Sequence, residues 1–348
     1  MNKKMPPCGW SAVGREKVIC IGSACKDIFF PTSEGMVMET PDDIMSQKKI
    51  TFELGAKYKI ETRFESLGGV AANVASGLAR LGVKCACYSH IGDDDMANWI
   101  EQELKKSGVS TELVSHEKSS PSDLSAIVVD TKSGDRVIFS NQKANSQMEI
   151  IPEKLKDTEW FFIGDLHGNW EEDADKIIQT ASKNKIKIAI NPRQVNIHDN
   201  VKKIIEIIKS SNIVFLNKDE TIEVLAGSGK NFSEKELNDE IFLINNIKEL
   251  GPEVVVVTDG IRGAWGYDGK NLSHVLAIED NPVDTTGAGD AFGSGFFAAY
   301  VKEKNLEECL KWGAANSGNS VRFYGGIEGL LKEEEISEKI KKLEVTNI

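Results

Sequence analysis

The sequence predicts an α/β protein: a mostly parallel central sheet covered by helices on both faces, with a small β lid beside it. Three observations carry this. Short apolar, β-branched runs alternate with helical patterns over most of the chain, as strand–helix–strand units require. Those runs are apolar throughout, as strands buried on both faces must be. Two segments, 32–66 and 121–142, break that rhythm with period-two alternation and read as β-hairpins excluded from the core.

The first strand is "KVICIGSA", residues 17–24. The first hairpin follows, with Ile50, Phe52 and Leu54 answered by Tyr58 and Ile60 across a turn at Gly55. A helix over 68–82 is predicted by Val70, Val74, Leu78 and Leu81 at helical spacing, and Gly82 suits its stop. "VKCACYSHIG" is a strand, and "DDMANWIEQELKKSG" a helix with an acidic start and a basic end. The second hairpin, "LSAIVVDTKSGDRVIFSN", turns at residues 132–135. "EWFFIG", "KIKIAIN", "NIVFLN" and "EVVVVTDG" are four further strands. Helices over 171–184, 199–210, 219–226 and 233–249 separate or follow them, and the chain is mostly helical after 287.

The 348 residues suffice for one large or two ordinary domains, and no linker divides them. Residues 1–16 read as a flexible N-terminal extension, with two lysines but no apolar core of a signal peptide. A net charge of −12, from 42 basic and 54 acidic residues, argues against a nucleic-acid binder. No run reaches the length of a membrane span. Six cysteines without CxxC spacing suit a reducing, cytoplasmic setting and give no zinc site.

Chemistry concentrates in "DTTGAGDAFGSGFFAAY", residues 284–300. Gly287 and Gly289 allow tight turns and close approach to a ligand. Phe292, Phe296 and Tyr300 then mark the buried stripe of a helix. The glycines therefore open a helix, where free N–H groups and the dipole attract an anion. Asp290 in that first turn has a plain reading as a capping acid. The sharper reading makes it the base for a hydroxyl attacking a phosphoryl group held by the loop. An unperturbed aspartate, with a pKa of about 3.9, is ionised at neutral pH. The P-loop and GxGxxG alternatives fail: Asn231 follows Lys230 in "GSGKN", and Phe292 stands where a third glycine belongs.

The segment "DTTGAGDAF" resembles the C-terminal signature of the ribokinase-like (PfkB-type) carbohydrate kinases. "SLGGVAANVASGLARLG" resembles their N-terminal glycine signature, "GSACKD" the segment bearing a sugar-binding aspartate, "NKDE" their NxxE motif and "VTDGIRGA" their nucleotide-side turn. The five motifs keep the family's order across residues 17–345. The resemblance implies one ribokinase-like domain with a three-layer α/β/α core and a lid made from the hairpins. It implies ATP-dependent phosphorylation of a sugar or nucleoside hydroxyl with Mg²⁺. Asp290 is then the general base, and the N–H groups of Gly287, Ala288 and Gly289 form the anion hole.

By the same resemblance Asp27, Gly68, Gly69 and Asn73 hold the acceptor. The plainer readings are a strand–helix turn for the glycines and a helix-surface polar residue for Asn73. Asn217 and Glu220 organise Mg²⁺ and phosphates, Glu220 through water; an ordinary helix-capping pair is the alternative. Thr258 and Gly260 sit beside the nucleotide, or simply form a turn. Asp284 and Thr286 resemble positions near a K⁺ site, with "SVRFYGG" opposite. Cys25 stands where the ribokinase subgroup carries Asn, and "GGVAAN" lacks that subgroup's lysine. Ribose is thereby disfavoured, leaving hexoses, ketoses, sugar acids and nucleosides. Exposed lid edges are expected to pair two copies in a homodimer.

"GDLHG", residues 164–168, matches the opening motif of calcineurin-like metallophosphoesterases. The five histidines and the missing later blocks leave that reading without ligands, and His167 reads as structural or substrate-facing. A non-catalytic sugar-binding relative would have lost the aspartate that Asp290 retains.

Overall fold

The computed structural model describes residues 16–39, 48–134, 136–278 and 282–348. The predicted extension therefore lies outside the described residues, except Glu16. In chain order the strands are β1 (Val18–Ile21), β2 (Cys25–Thr32), β3 (Met36–Glu39), β4 (Lys48–Thr51), β5 (Phe64–Gly68), β6 (Cys85–Gly92), β7 (Val114–Glu117), β8 (Leu124–Asp130), β9 (Arg136–Asn141), β10 (Trp160–Ile163), β11 (Lys187–Ile190), β12 (Ile213–Asn217), β13 (Val254–Thr258), β14 (Ala264–Tyr267), β15 (Leu272–Val275) and β16 (Val345–Asn347). The α-helices are α1 (Val70–Arg80), α2 (Asp95–Lys106), α3 (Trp170–Asn184), α4 (Gln194–Lys209), α5 (Lys218–Ala226), α6 (Glu234–Leu237), α7 (Glu240–Lys248), α8 (Ala288–Val301), α9 (Leu306–Ser320) and α10 (Glu333–Lys339).

The main sheet runs β16-β15-β14-β13-β12-β11-β10-β1-β6-β7. From β7 to β13 every pairing is parallel. Strands β14 to β16 add an antiparallel edge that the sequence pattern did not announce. Successive strand residues face opposite layers, as the pleat demands. Val18, Phe162 and Val256 pack with α1, α8 and α9, while Ile19, Phe161 and Val255 pack with α3, α4 and α7. That alternation is the physical content of three layers. Phe161, Phe162, Phe296 and Phe297 are fully buried, each worth about 1.5–3 kcal/mol of apolar transfer.

A second sheet, β5-β2-β8-β9, stands beside the core. Its β8–β9 arm is the predicted second hairpin. The first hairpin differs from expectation. Strand β4 pairs upstream with β3 rather than across Gly55, and residues 52–63 hold no strand. Phe52 still meets Tyr58, at 5.3 Å between ring centres. The alternation was real, but aromatic contact in a loop satisfied it. The sequence also left 25–32 without a strand. It pairs with β5 on one side and β8 on the other, which no local pattern encodes.

Two helices also depart from expectation. The segment 233–249 divides into α6 and α7 because Asp239 caps α7, its carboxylate accepting from the N–H groups of Ile241 and Phe242. Helix α4 starts five residues before the predicted start at 199 and loosens at Asn200, whose side chain accepts from Lys203 N and re-caps the rest. Among the described residues no helix is long and apolar enough to cross a membrane.

Candidate active site

Strand order reverses between β1 and β10, because the chain leaves β1 toward β6 and β7 and then returns to the other side. Crevices at the C-terminal ends of strands at such a point take ligands. The segments leaving β1 and β10 meet there: Ser23 N donates to Asp165 Oδ1 at 3.0 Å.

The glycine loop faces this crevice from α8. Gly287 is the N-cap, in the left-handed region at φ 74°. A Cβ there would come within 2.8 Å of Gly326 Cα, so the position needs glycine twice over. The loop is stapled by Asp284, whose Oδ1 accepts from Thr286 N (3.0 Å) and Oγ1 (2.7 Å), and whose Oδ2 accepts from Gly325 N (3.1 Å). The 320–326 stretch is therefore opposite Asp284, as expected. The N–H groups of Gly287 and Gly289 make no hydrogen bond among the described residues, and a Cβ on Gly289 would meet open space. Ala288 is the exception: its N–H turns onto Thr285 O at 3.3 Å. The expected trio of free donors is thus a pair.

Asp290, in the first turn of α8, accepts a 2.9 Å hydrogen bond at Oδ2 from Asn73 Nδ2. Helix α1 aims Asn73 inward because Gly69, at φ 94°, turns the chain out of β5. Asn73 Oδ1 is buried and without a partner among the described residues. The expected ionised Asp290 is corrected by its surroundings. Burial pushes its carboxyl up to about 7 against the pull of the Asn73 bond, and Asp165, Asp27 and Glu220 add repulsion.

Asp27 lies on β2, buried, over the bare Cα of Gly68, where any Cβ would fall within 2.1 Å of its Oδ2. Burial raises it to about 6 although Ser125 and Cys25 donate to it. Cys25 Sγ is 3.4 Å from Oδ1. Asp27, Gly68, Gly69, Asn73 and Asp290 thus converge around one crevice.

Behind the glycine loop opens a cavity of about 330 Å³ between β13–β15 and helices α8 and α9. It is largely apolar, lined by Ala264, Val275, Ile278 and Phe292 among others, and Thr258, Gly260, Ala288 and Gly289 border it. Asn217 and Glu220 do not line it. They form a capping box on α5: Glu220 N donates to Asn217 Oδ1 and Asn217 N to Glu220 Oε2, both at 2.8 Å. The plainer reading of that pair is therefore realised, and it leaves Oε1 without a hydrogen bond among the described residues. Burial raises Glu220 to about 7, with Glu223 and Asp219 adding to it.

Spacing rules passed over two groups. Arg136, at the start of β9, donates from Nη1 to Thr285 Oγ1 at 2.6 Å, bringing a lid-sheet cation to the anion loop. The GDLHG pair is the other. His167 Nε2 lies 3.1 Å from Asp165 Oδ2, and Arg193 Nη1 lies 3.2 Å from His167 Nδ1. A guanidinium facing the imidazole repels a metal ion, so the phosphoesterase reading is overturned. Among the described residues no cluster of three or more His, Cys, Asp or Glu is placed to hold a metal. No sequence signal marked Arg136 or Arg193, because each acts across a fold-dependent gap.

Comparison with known proteins agrees with this geometry. The chain is 26% identical over 330 residues to a nucleoside kinase of Methanocaldococcus jannaschii, covering 94% of this chain and 97% of that one. It is 28% identical over 268 residues to an uncharacterized sugar kinase of Archaeoglobus fulgidus, covering 73% and 98%. The solved M. jannaschii nucleoside kinase structure superposes with a TM-score of 0.72 over 94% of this chain and 99% of its own. A putative ribokinase II from E. coli, in complex with ATP and Mg²⁺, shares the fold at 22% identity and a TM-score of 0.73, covering 94% and 99%. Residues 16–333 match the pfkB family carbohydrate kinase model, and the chain belongs to that family.

Proposed function

We propose that the protein transfers the terminal phosphoryl group of ATP to a hydroxyl of a sugar or sugar-like acceptor seated between Asp27 and Asp290. One observation carries the reading: Asp290 and the free N–H groups of Gly287, the N-cap, and Gly289 lie together at the start of α8, where Ala288 and Gly289 border an apolar cavity. The free oxygen of Asp290 takes the hydroxyl proton while Asn73 holds the other oxygen still. The acceptor oxygen bonds to the terminal phosphorus as the bond to ADP breaks. The amides of Gly287 and Gly289 stabilise the charge on the group in transit. Asp27 and the orphaned Asn73 Oδ1 accept from further acceptor hydroxyls. The purine of the donor fits the apolar cavity.

Mg²⁺ fits the donor set. The field of Asp290, Asp27, Asp165 and Glu220 is negative, and among the described residues no cluster of three or more ligands forms a cage, which suits a cation held by one protein carboxylate, waters and phosphates. Glu220, whose Oε1 the capping box leaves free, would hold it through water, and the ion would supply charge neutralisation on the triphosphate. K⁺ would bind through carbonyls of the loops that Asp284 staples. The β5-β2-β8-β9 sheet acts as the lid, anchored by Tyr324 stacked 4.5 Å from Phe64 and by Arg136 on Thr285. ADP release across hexoses, ketoses, sugar acids, phosphosugars and nucleosides, with Mg²⁺ and with or without K⁺, tests the reading. Nucleosides alone supporting turnover would make it a nucleoside kinase, as its M. jannaschii relative is. No turnover with any of them counts against it.

The pH profile follows from Asp290. Its ionised form is the competent one, so kcat/KM rises with pH through a midpoint near 7 and falls about tenfold per unit below it. A flat profile from pH 5 to 8 would contradict the assigned base. Asp27→Ala raises the acceptor Michaelis constant about 10–100-fold, the worth of a charged hydrogen bond, and leaves that of ATP unchanged. An unchanged acceptor constant would remove Asp27 from the site. Met36, Val37, Met38, Leu54 and Phe139 expose apolar surface around the lid, and there two copies pair as a homodimer. Sedimentation as a monomer would discard that pairing.

A further inference from the structure

The GDLHG residues, relieved of any metal role, form a buried polar chain that proton transfer at Asp290 does not employ directly. It begins at Gln142, just past β9 of the lid sheet, whose Oε1 accepts from Arg193 Nη2 at 2.8 Å. Arg193 Nη1 donates to His167 Nδ1. A guanidinium can only donate, so the ring proton sits on Nε2 and points at Asp165 Oδ2. Asp165 also accepts from Ser23, through N at Oδ1 and Oγ at Oδ2. Ser23 in turn accepts from the start of α1: Val70 N at Oγ (3.3 Å) and Ala72 N at its carbonyl (3.2 Å). One residue beyond Ala72 is Asn73, which meets Asp290.

Asp165 and His167 are 7% and 4% exposed. A carboxylate and an imidazole so deep are costly unless fully paired, and apolar residues of like size would hold two strands together more cheaply. The pairing also runs through the crevice where β1 and β10 part, which is where ligands bind in such sheets. Gly69 admits no substitute in this junction, because its Cβ would lie 2.5 Å from Ser23 O. The first turn of α1 is therefore set by Ser23, and Ser23 by Asp165.

We propose that Arg193, His167 and Asp165 form a positioning relay that seats the first turn of α1, so that Asn73 holds Asp290, and that links this seat to the lid sheet through Gln142. The inference rests on the kinase reading above. His167 and Asp165 touch neither donor nor acceptor; they act through Ser23.

Two substitutions split the relay at His167. In His167→Gln the amide nitrogen overlays Nε2, so the bond to Asp165 survives and the bond from Arg193 is lost. In His167→Asn the side chain reaches only the Nδ1 level, so Arg193 keeps its acceptor and Asp165 loses its donor. His167→Asn lowers kcat about 10–100-fold, the penalty for a misaligned base, and speeds hydrogen exchange over residues 68–76. His167→Gln keeps kcat within about threefold and raises the acceptor Michaelis constant about fivefold, as one lost hydrogen bond allows. Gln142→Ala reproduces the His167→Gln pattern. It sits at the half-buried end of the chain, so it remains informative if His167→Asn folds poorly. Equal kcat in all three variants, or unchanged exchange over 68–76 in His167→Asn, overturns the relay and leaves the kinase assignment standing. If the unaltered enzyme phosphorylates nothing, the kinase reading falls, and the exchange measurement alone decides whether His167 seats α1.

Discussion

Asp290→Asn abolishes most turnover, by roughly 10²–10⁴-fold, while nucleotide affinity and fold persist. The side chains have the same shape, and the carbonyl oxygen of the amide accepts from Asn73 as Oδ2 does now. What is lost is a group able to take a proton. The substitution also removes a carboxyl that burial and the charges of Asp165, Asp27 and Glu220 oppose. The variant protein is therefore no less stable than the original at pH 8. Single-turnover ADP release and nucleotide titration read the two effects separately. Near-normal turnover would refute the base, and lost nucleotide binding would show that Asp290 shapes the loop instead.

The second large effect is expected at the N-cap of α8. Gly287→Ala forces a side chain into φ 74° and places its Cβ 2.8 Å from Gly326 Cα, a backbone atom that cannot rotate away. The left-handed conformation alone costs about 1–2 kcal/mol. Relief requires the 284–287 and 321–326 loops to part, which moves a free amide off its target and lowers kcat about 100-fold. Gly289→Ala is the matched control for stability: its Cβ meets nothing within 4 Å and its backbone is helical. It leaves thermal unfolding unchanged or slightly raised while crowding the cradle. If Gly287→Ala unfolds and turns over like the original, the loop is not the rigid hole described.

Much of the architecture was legible because burial writes it into local composition. The "VVVV" run at 254–257 and "WFFI" at 160–163 have no polar face, and helix layers cover both faces. Helix α1 was legible from Val70, Val74 and Leu78, and its stop from Gly82, at φ 76°. Strands β14 and β15 were not, since "AWGY" and "LSHV" are four residues each and gain their hydrogen bonds only in the assembled sheet, β14 beside β13 and β15 between β14 and β16. Aromatic contact between Phe52 and Tyr58 mimicked a hairpin. The glycine loop and its aspartate stood out because free amides, glycine conformations and a helix start must be contiguous. The protonation of Asp290 did not, because three of its determinants lie 263, 125 and 70 residues away, at Asp27, Asp165 and Glu220.

The sequence by itself determined the sheet's parallel core, the helix that follows residues 284–289, and the family's motifs in their order, since each depends on neighbours within a few residues. Only the tertiary structure decided that Asn73 holds Asp290, that Arg136 reaches Thr285, that Ala288 is no free donor and that His167 faces a guanidinium rather than a metal. Apart from the local turn that takes up the Ala288 amide, those facts are relations between charges and donors that the fold brings together from distant parts of the chain. Electrostatic and hydrogen-bond energies fall off within a few ångströms of through-space distance, and separation along the chain carries no record of that distance.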